Sequence, residues 1–179
     1  MREFNPMRCA VQKKSAPREV LKGVYHDKGY KIGTDARILA KVQADYPKGL
    51  EGKVIGKDGK VIKEKFPDYH TAFFSTRKCS KFTIDAAKLK ETIDKAKAIK
   101  KDNPLIYLVI ADEVKATIEY AQLILAFIKS YGISNVYINP AKTTLLFTDS
   151  NNQMLYMTLP GSDDAIVINN QITVEHYAN

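Results

Sequence analysis

IEYAQLILAFIKSYG (118–132), ISNVYINPAK (133–142), TTLLFTDSNN (143–152) and QMLYMTLP (153–160) run consecutively, and their reading decides the fold. The first segment carries Tyr120, Leu123, Ile124, Phe127, Ile128 and Tyr131 at i, i+3, i+4 spacing. That spacing predicts a helix with one broad buried face. Gly132 follows where a left-handed C-cap favours glycine. Residues 136–139, 144–148 and 154–159 read as short strands. Pro140-Ala141-Lys142 and Asp149-Ser150-Asn151-Asn152 separate them with turn chemistry. A helix laid on an antiparallel meander is an α+β unit.

Upstream, residues 86–100 predict a second helix, with Asp85 as N-cap and Leu89, Ile93, Ala96 and Ile99 as its apolar stripe. Its other faces hold Lys88, Lys90, Lys95, Lys97, Lys100 and, just beyond, Lys101, against Glu91 and Asp94 alone. Strands are expected at 82–84, 105–111 and 114–118. The second half thus reads β-α-β-β, then α-β-β-β. The first half predicts strands at 7–11, 19–26, 30–34 and 37–44, with Asp35 holding a tight corner through backbone hydrogen bonds. Residues 53–56 and 60–63 flank Lys57-Asp58-Gly59, a strong turn signal, and predict an exposed basic hairpin within 53–63. Phe66-Pro67-Asp68-Tyr69 predicts an extended connector, since Pro67 keeps Phe66 out of the helical region. Residues 70–81 then cross the fold, anchored by Phe73 and Phe74. We expect a single domain over residues 1–160, strand-rich over 1–78 and helix-containing over 79–160. Residues 161–179 form a tail, either a small hairpin or an addition to a sheet edge.

Composition bounds the function classes. The 179 residues are 45% hydrophobic, enough for an ordinary core. The net charge of +8 favours polyanionic partners, nucleic acid above all, although lysines also make solvated surfaces. No apolar run is long enough to span a bilayer, and the first residues lack a signal peptide's apolar stretch, so no membrane association and a cytoplasmic location are expected. Cys9 and Cys79 stand apart and read as free thiols in a reducing compartment. His26, His70 and His176 are scattered, so no metal site is expected. The carboxylate pairs Asp112-Glu113 and Asp163-Asp164 fall at predicted turns. No nucleophilic triad or HExxH spacing occurs, so no enzyme activity and no cofactor are expected.

Three separated stretches share one resemblance. Thr34-Asp35-Ala36-Arg37-Ile38-Leu39-Ala40 resembles the TDGHRLA motif of the bacterial sliding clamp, the β subunit of DNA polymerase III. Phe66-Pro67-Asp68-Tyr69 matches the FPDY connector leading into that clamp's last domain. Tyr156-Met157-Thr158-Leu159-Pro160 resembles its closing YVVMP segment, and residues 120–139 are similar to its last helix and following strand. These motifs occur in the family's order and cover most of residues 19–160. The resemblance implies an α+β DNA-clamp fold of βαβββ repeats, with helices on one face and a sheet on the other. In the family the helices line a channel around duplex DNA, which implies phosphate contacts from Lys88, Lys90, Lys95, Lys97, Lys100 and Lys101. The family's outer surface takes short peptides from polymerases and clamp loaders. Carried over by position, that pocket would comprise Thr34, Ala36, Arg37, Ile38 and Leu39, then Pro67, Thr71 and Ala72, then Met157 and Leu159. The chain departs from the family in several places. Ala36-Arg37-Ile38 stands for Gly-His-Arg, Thr71 stands for an arginine, and the tail runs on where the family ends and could cover the pocket. A clamp subunit has three domains and two subunits close its ring, so a ring of this shorter chain would require higher-order self-assembly.

Two other readings compete. VIGKDGKVIKE (54–64) resembles the GXXG loop of KH domains, which clamps single-stranded nucleic acid between two helices. Its β-branched residues and the early Pro67 suit a hairpin better. A clamp fold without DNA binding, serving only as a protein-interaction module, is the other alternative.

Overall fold

The computed structural model describes residues 3–11, 18–100, 105–158 and 165–176. Strands β1 (Gly23–Asp27), β2 (Tyr30–Thr34) and β3 (Ile38–Gln43) form the first meander, and β4 (Val54–Gly56) with β5 (Val61–Ile62) form the hairpin. Then come β6 (Ser80–Ile84), α1 (Ala86–Ile99), β7 (Ile106–Ala111), β8 (Val114–Thr117), α2 (Ile118–Tyr131), β9 (Asn135–Ile138), β10 (Thr144–Thr148) and β11 (Gln153–Met157). The tail adds β12 (Ile166–Ile168) and β13 (Thr173–His176). The second half is therefore β-α-β-β followed by α-β-β-β, while the described residues of the first half form a meander and hairpin without an α-helix.

One ten-stranded sheet runs β13-β6-β9-β10-β11-β3-β2-β1-β4-β5, and a three-stranded sheet runs β12-β7-β8. The two halves of the chain meet where β3 pairs antiparallel with β11, Leu39 opposite Leu155 and Ile38 opposite Tyr156. Alternation along these strands sorts side chains onto two faces. Ile38, Ala40, Val42, Leu145, Phe147, Met154 and Tyr156 join the core shared with α1, α2 and the small sheet. Ile32, Leu39, Leu146 and Leu155 point the other way, into a second cluster completed by Leu21, Phe66 and Tyr69.

The helix ends follow local chemistry. Asp85 accepts hydrogen bonds from the Ala87 and Lys88 amides. Gly132 adopts φ 66°, and Thr117 caps α2 by accepting from the Tyr120 amide. On α2 the fully buried stripe is Ile118, Ala121, Ile124, Phe127 and Ile128, with Tyr120, Leu123 and Tyr131 partly buried beside it. On α1 Thr92 joins Leu89, Ile93 and Ala96, whereas Ile99 is 38% exposed.

Several expectations are corrected. Residues 7–11 form no strand. Pro6–Arg8 is a 3-10 turn capped by the Asn5 side chain, with proline at the helical start it favours. This turn crosses β2 so closely that a Cβ on Gly33 would lie 2.1 Å from the Pro6 carbonyl oxygen. Glu19–Lys22 is also a 3-10 turn, so β1 begins at Gly23. The tail forms no hairpin with itself. β12 pairs parallel with β7, and β13 pairs antiparallel with β6. The 54–64 segment is an antiparallel hairpin, Val54 opposite Ile62, with Gly59 at φ 79°. Among the described residues no α-helix flanks this segment, so it is not the helix–loop–helix of a KH clamp. Asp112 pairs with Lys142 at 2.9 Å in the β7–β8 turn, while Asp163 and Asp164 lie outside the described residues.

Candidate functional site

A corner of unusual backbone opens the site. Between β2 and β3 the chain turns through Asp35, Ala36 and Arg37, with Ala36 at φ 74°. That left-handed conformation costs an alanine about 1 kcal/mol relative to glycine. Neighbouring hydrogen bonds hold it. Asp35 Oδ1 accepts from the Arg37 and Ile38 amides, each at 2.9 Å. Thr34 Oγ1 donates to the Ile38 carbonyl at 2.8 Å and accepts from the Ala36 amide at 3.0 Å. Tyr120 on α2 donates its hydroxyl to Asp35 Oδ2 at 2.7 Å, tying the corner to the helical layer. Burial, then this bond to Asp35, pushes the Tyr120 hydroxyl well above its ordinary range.

The corner faces β11. Arg37 donates to the Thr158 carbonyl at 3.0 Å, and the Met157 amide donates to the Arg37 carbonyl at 3.0 Å. The 66–69 connector forms the opposite wall. Its anchors are Tyr25 stacked on Phe66 with ring centroids 5.0 Å apart, and the Tyr69 hydroxyl donating to Asp27 Oδ2 at 2.7 Å. Arg18 clamps the connector's start, with Nε to Glu64 Oε1 and Nη2 to the Lys65 carbonyl, both at 2.9 Å. Hydrogen bonds from the Val20 amide and from Arg18 hold the Glu64 carboxyl below its usual range.

Between these walls lies a groove of about 410 Å³. Thr34, Ala36, Arg37, Ile38, Leu39, Pro67, Ala72 and Met157 all line it. Thr71 does not, because its hydroxyl turns back to the Asp68 carbonyl at 3.1 Å. Leu159 lies outside the described residues. The groove also gathers Arg18, Leu21, Phe66, Asp68, Tyr69, Thr144 and Leu155. Leu155 and Thr144 had a usable signal: Leu155 shares a face with Met157 by strand alternation, and Thr144 lies opposite Met157 in register. Nothing local in the sequence announced Arg18 or Leu21. The described tail strands β12 and β13 sit on β7 and β6 and contribute nothing to the groove lining. The floor is apolar, with Leu39 and Leu155 under a tenth exposed and Met157 49% exposed at the mouth. An apolar floor with arginines, threonines and one carboxylate at the rim suits a short amphipathic peptide.

The second candidate surface is α1. Lys88, Lys90, Lys95, Lys97 and Lys100 are all exposed, and Lys101 lies outside the described residues. Three of them already have partners: Lys90 with Asp94 at 2.6 Å, Lys95 with Glu91 at 2.6 Å, and Lys100 with Glu119 of α2. The hydrogen bond from Lys90 holds the Asp94 carboxyl below its ordinary value. Among the described residues, no group of three or more histidine, cysteine or acidic side chains could hold a metal. No helix there is long and apolar enough to cross a membrane. Cys9 and Cys79 are free and buried, and burial pushes both thiols up, away from the reactive thiolate.

No family profile matches the sequence, and no curated protein is detectably similar to it. Solved structures are similar in fold. A DnaN sliding clamp (DNA polymerase III subunit beta) from Bartonella birtlesii, bound to griselimycin, superposes with a TM-score of 0.63 at 13% identity, covering 87% of this chain and 63% of that one. A β sliding clamp from Caulobacter crescentus gives 0.62 at 13% identity, over 86% of this chain and 61% of that one. The DNA polymerase III subunit beta of Pseudomonas aeruginosa gives 0.61 at 11% identity, over 85% and 61%. The chain thus spans about three fifths of the length of these clamps. Two helices packed against a large antiparallel sheet, joined in this order, give the chain the fold of the bacterial DNA polymerase III β subunit.

Proposed function

We propose that this protein is a clamp-like accessory of DNA replication that docks a partner peptide in the apolar groove and rests its α1 face on duplex DNA. The observation that carries the docking role is the convergence of Thr34 and residues 36–39, residues 66–69 with Ala72, and Leu155 with Met157 on one groove of about 410 Å³. A groove of that size accommodates two or three apolar side chains of a peptide from a polymerase or clamp-loader type of partner. Scaffolding of this kind needs no catalytic group and no cofactor.

Duplex contact through Lys88, Lys90, Lys95, Lys97 and Lys100 would be sequence-independent and salt-sensitive. The three ion pairs do not forbid it. Exposed pairs are worth about 0.2–1 kcal/mol each, so a phosphate can replace the carboxylate. The same pairs favour the second reading, a protein-interaction module without DNA binding, because they spend much of the face's charge within the protein.

Fluorescence anisotropy separates the two. A labelled duplex should bind at low salt, and Lys88→Glu with Lys97→Glu should weaken it. Met157→Glu should abolish capture of partner peptides while leaving duplex binding unchanged. No duplex binding at low salt, with peptide capture intact, would leave the interaction module. Failure to capture any peptide would remove the docking role.

A further inference from the structure

Residues 166–176 extend both sheets at once. β12 pairs parallel with β7, with the Ile166 amide donating to the Leu105 carbonyl at 3.0 Å, and β13 pairs antiparallel with β6. The crossing between the two strands is tied to α1 at its N-cap and at Thr92. The Asp85 amide donates to the Ile172 carbonyl at 3.0 Å, and Asn170 Nδ2 donates to Thr92 Oγ1 at 3.1 Å. Gln171 makes the turn at φ 47°, a left-handed conformation unfavourable to a residue with a Cβ. Ile172 is 2% exposed in the core shared by the sheets and helices, and Ile166 and Ile168 pack against that core, whereas Val167 is 44% exposed.

The phase of the ladder shows what this segment covers. Hydrogen-bonded pairs alternate along antiparallel strands. The Asp85–Ile172 bond therefore turns the amides of Thr83 and Asp85 toward β13, while the Ile84 amide donates to the Ser134 carbonyl at 2.7 Å on the β9 side. Beneath the segment lie that row of β6 backbone groups, the Leu105 carbonyl, and the core contacts of Ile166, Ile168 and Ile172. A backbone edge with places for alternate side chains is what a site for an added strand requires.

We infer that the edges of β6 and β7 form a strand-accepting site, that residues 166–176 fill it as a detachable strap, and that the same segment of a second copy is the partner it takes in trans. Strands of three and four residues hold the strap. So short a unit, turned through an unfavourable backbone, opens locally before the whole molecule unfolds. A second copy carries the identical strands at the identical spacing, so an exchange of straps joins two chains through contacts already present within one. The attached strap competes at a high effective concentration, which confines exchange to concentrated protein.

Amide exchange read by NMR on the full chain tests this, alone and with a synthetic peptide of residues 165–176 standing for the second copy. Alone, the amides of Thr83, Asp85, Ile166 and Val174 should exchange together, about tenfold or more faster than those of Ile124 and Phe127 in α2, and Ile84 should stay protected. Peptide at high concentration should slow Thr83 and Asp85 yet speed Ile166 and Val174, because the site stays filled while the protein's own strap is displaced. The peptide carrying Ile166→Ser, Ile168→Ser and Ile172→Ser should do neither. Ile168→Ala in the full chain weakens the attached competitor, so the unaltered peptide should act at about tenfold lower concentration. The exchange measurements on the parent stand even if that variant does not fold. A strap that exchanges only at the rate of α2, or one that exchanges early but ignores the peptide, overturns the inference.

Discussion

The groove and the α1 face are opposite kinds of surface. The groove exists only because three distant stretches converge: Asp35 shapes the corner, Arg37 ties it to the end of β11, and the Tyr69–Asp27 bond fixes the connector to β1. Its chemistry is a shape. The α1 face is a local property, with charges set out by the sequence of one helix, and tertiary structure subtracts from it by pairing Lys100 with Glu119. A shape-based site should be fragile to its supports and indifferent to salt. A charge-based site should show the reverse, and this contrast can be broken experimentally.

The largest effect is expected at the corner. Asp35→Ala removes the acceptor for two backbone amides and for the Tyr120 hydroxyl. It should cost about 3 kcal/mol in denaturant unfolding and abolish peptide capture. Asp35→Asn, which keeps an oxygen acceptor, should recover most of the loss. If alanine is tolerated, the corner does not hold the groove.

Next comes the helix. Lys88→Glu with Lys97→Glu leaves the Lys90, Lys95 and Lys100 pairs in place. Duplex affinity should fall about tenfold at low salt, with a shallower salt dependence. Stability and peptide capture should not change, and any loss of capture would erase the distinction between the two surfaces.

A smaller effect sharpens the picture of the corner itself. Ala36→Gly relieves the left-handed backbone at φ 74° but adds freedom to the unfolded chain. The net stabilisation should be about 0.5 kcal/mol, read as a rise in melting temperature. Destabilisation would mean that the alanine methyl contributes packing in the groove.

The smallest effect lies away from both surfaces. His26 is 5% exposed, sits edge-on to Tyr46, and places Nδ1 3.3 Å from the Lys53 carbonyl. Burial lowers its pKa from the ordinary 6.5. Below that value the unfolded chain takes up a proton that the folded chain resists, so this contribution is present above pH 6.5 and is lost as pH falls. His26→Gln should flatten the decline in melting temperature below that pH, without altering capture at neutral pH.

What the sequence disclosed follows the same divide between local and distant causes. Asp85, Gly132 and the Asp58-Gly59 turn act on neighbours within a few residues, so their roles could be read directly. Most of the groove lining was accessible only through motif resemblance, since no local pattern says that Leu39 will lie opposite Leu155. The arrival of Arg18 and Leu21, the crossing of Pro6 over Gly33 and the attachment of the tail to β6 and β7 had no local signal. Each depends on which edge or gap remains open once the rest has folded. Lysine positions on α1 were plain from spacing, yet their pairing across to Glu119 required the helices to be docked.

The measurement that tests the docking site most directly is an amide NMR titration of the full chain with a peptide selected on it from a random display library. If the groove holds the peptide, the shifted amides will cluster at 34–39, 66–72, 144 and 155–157, and Met157→Glu will remove them. Shifts confined to α1 or to the β12 and β13 strands, unaffected by Met157→Glu, would contradict it.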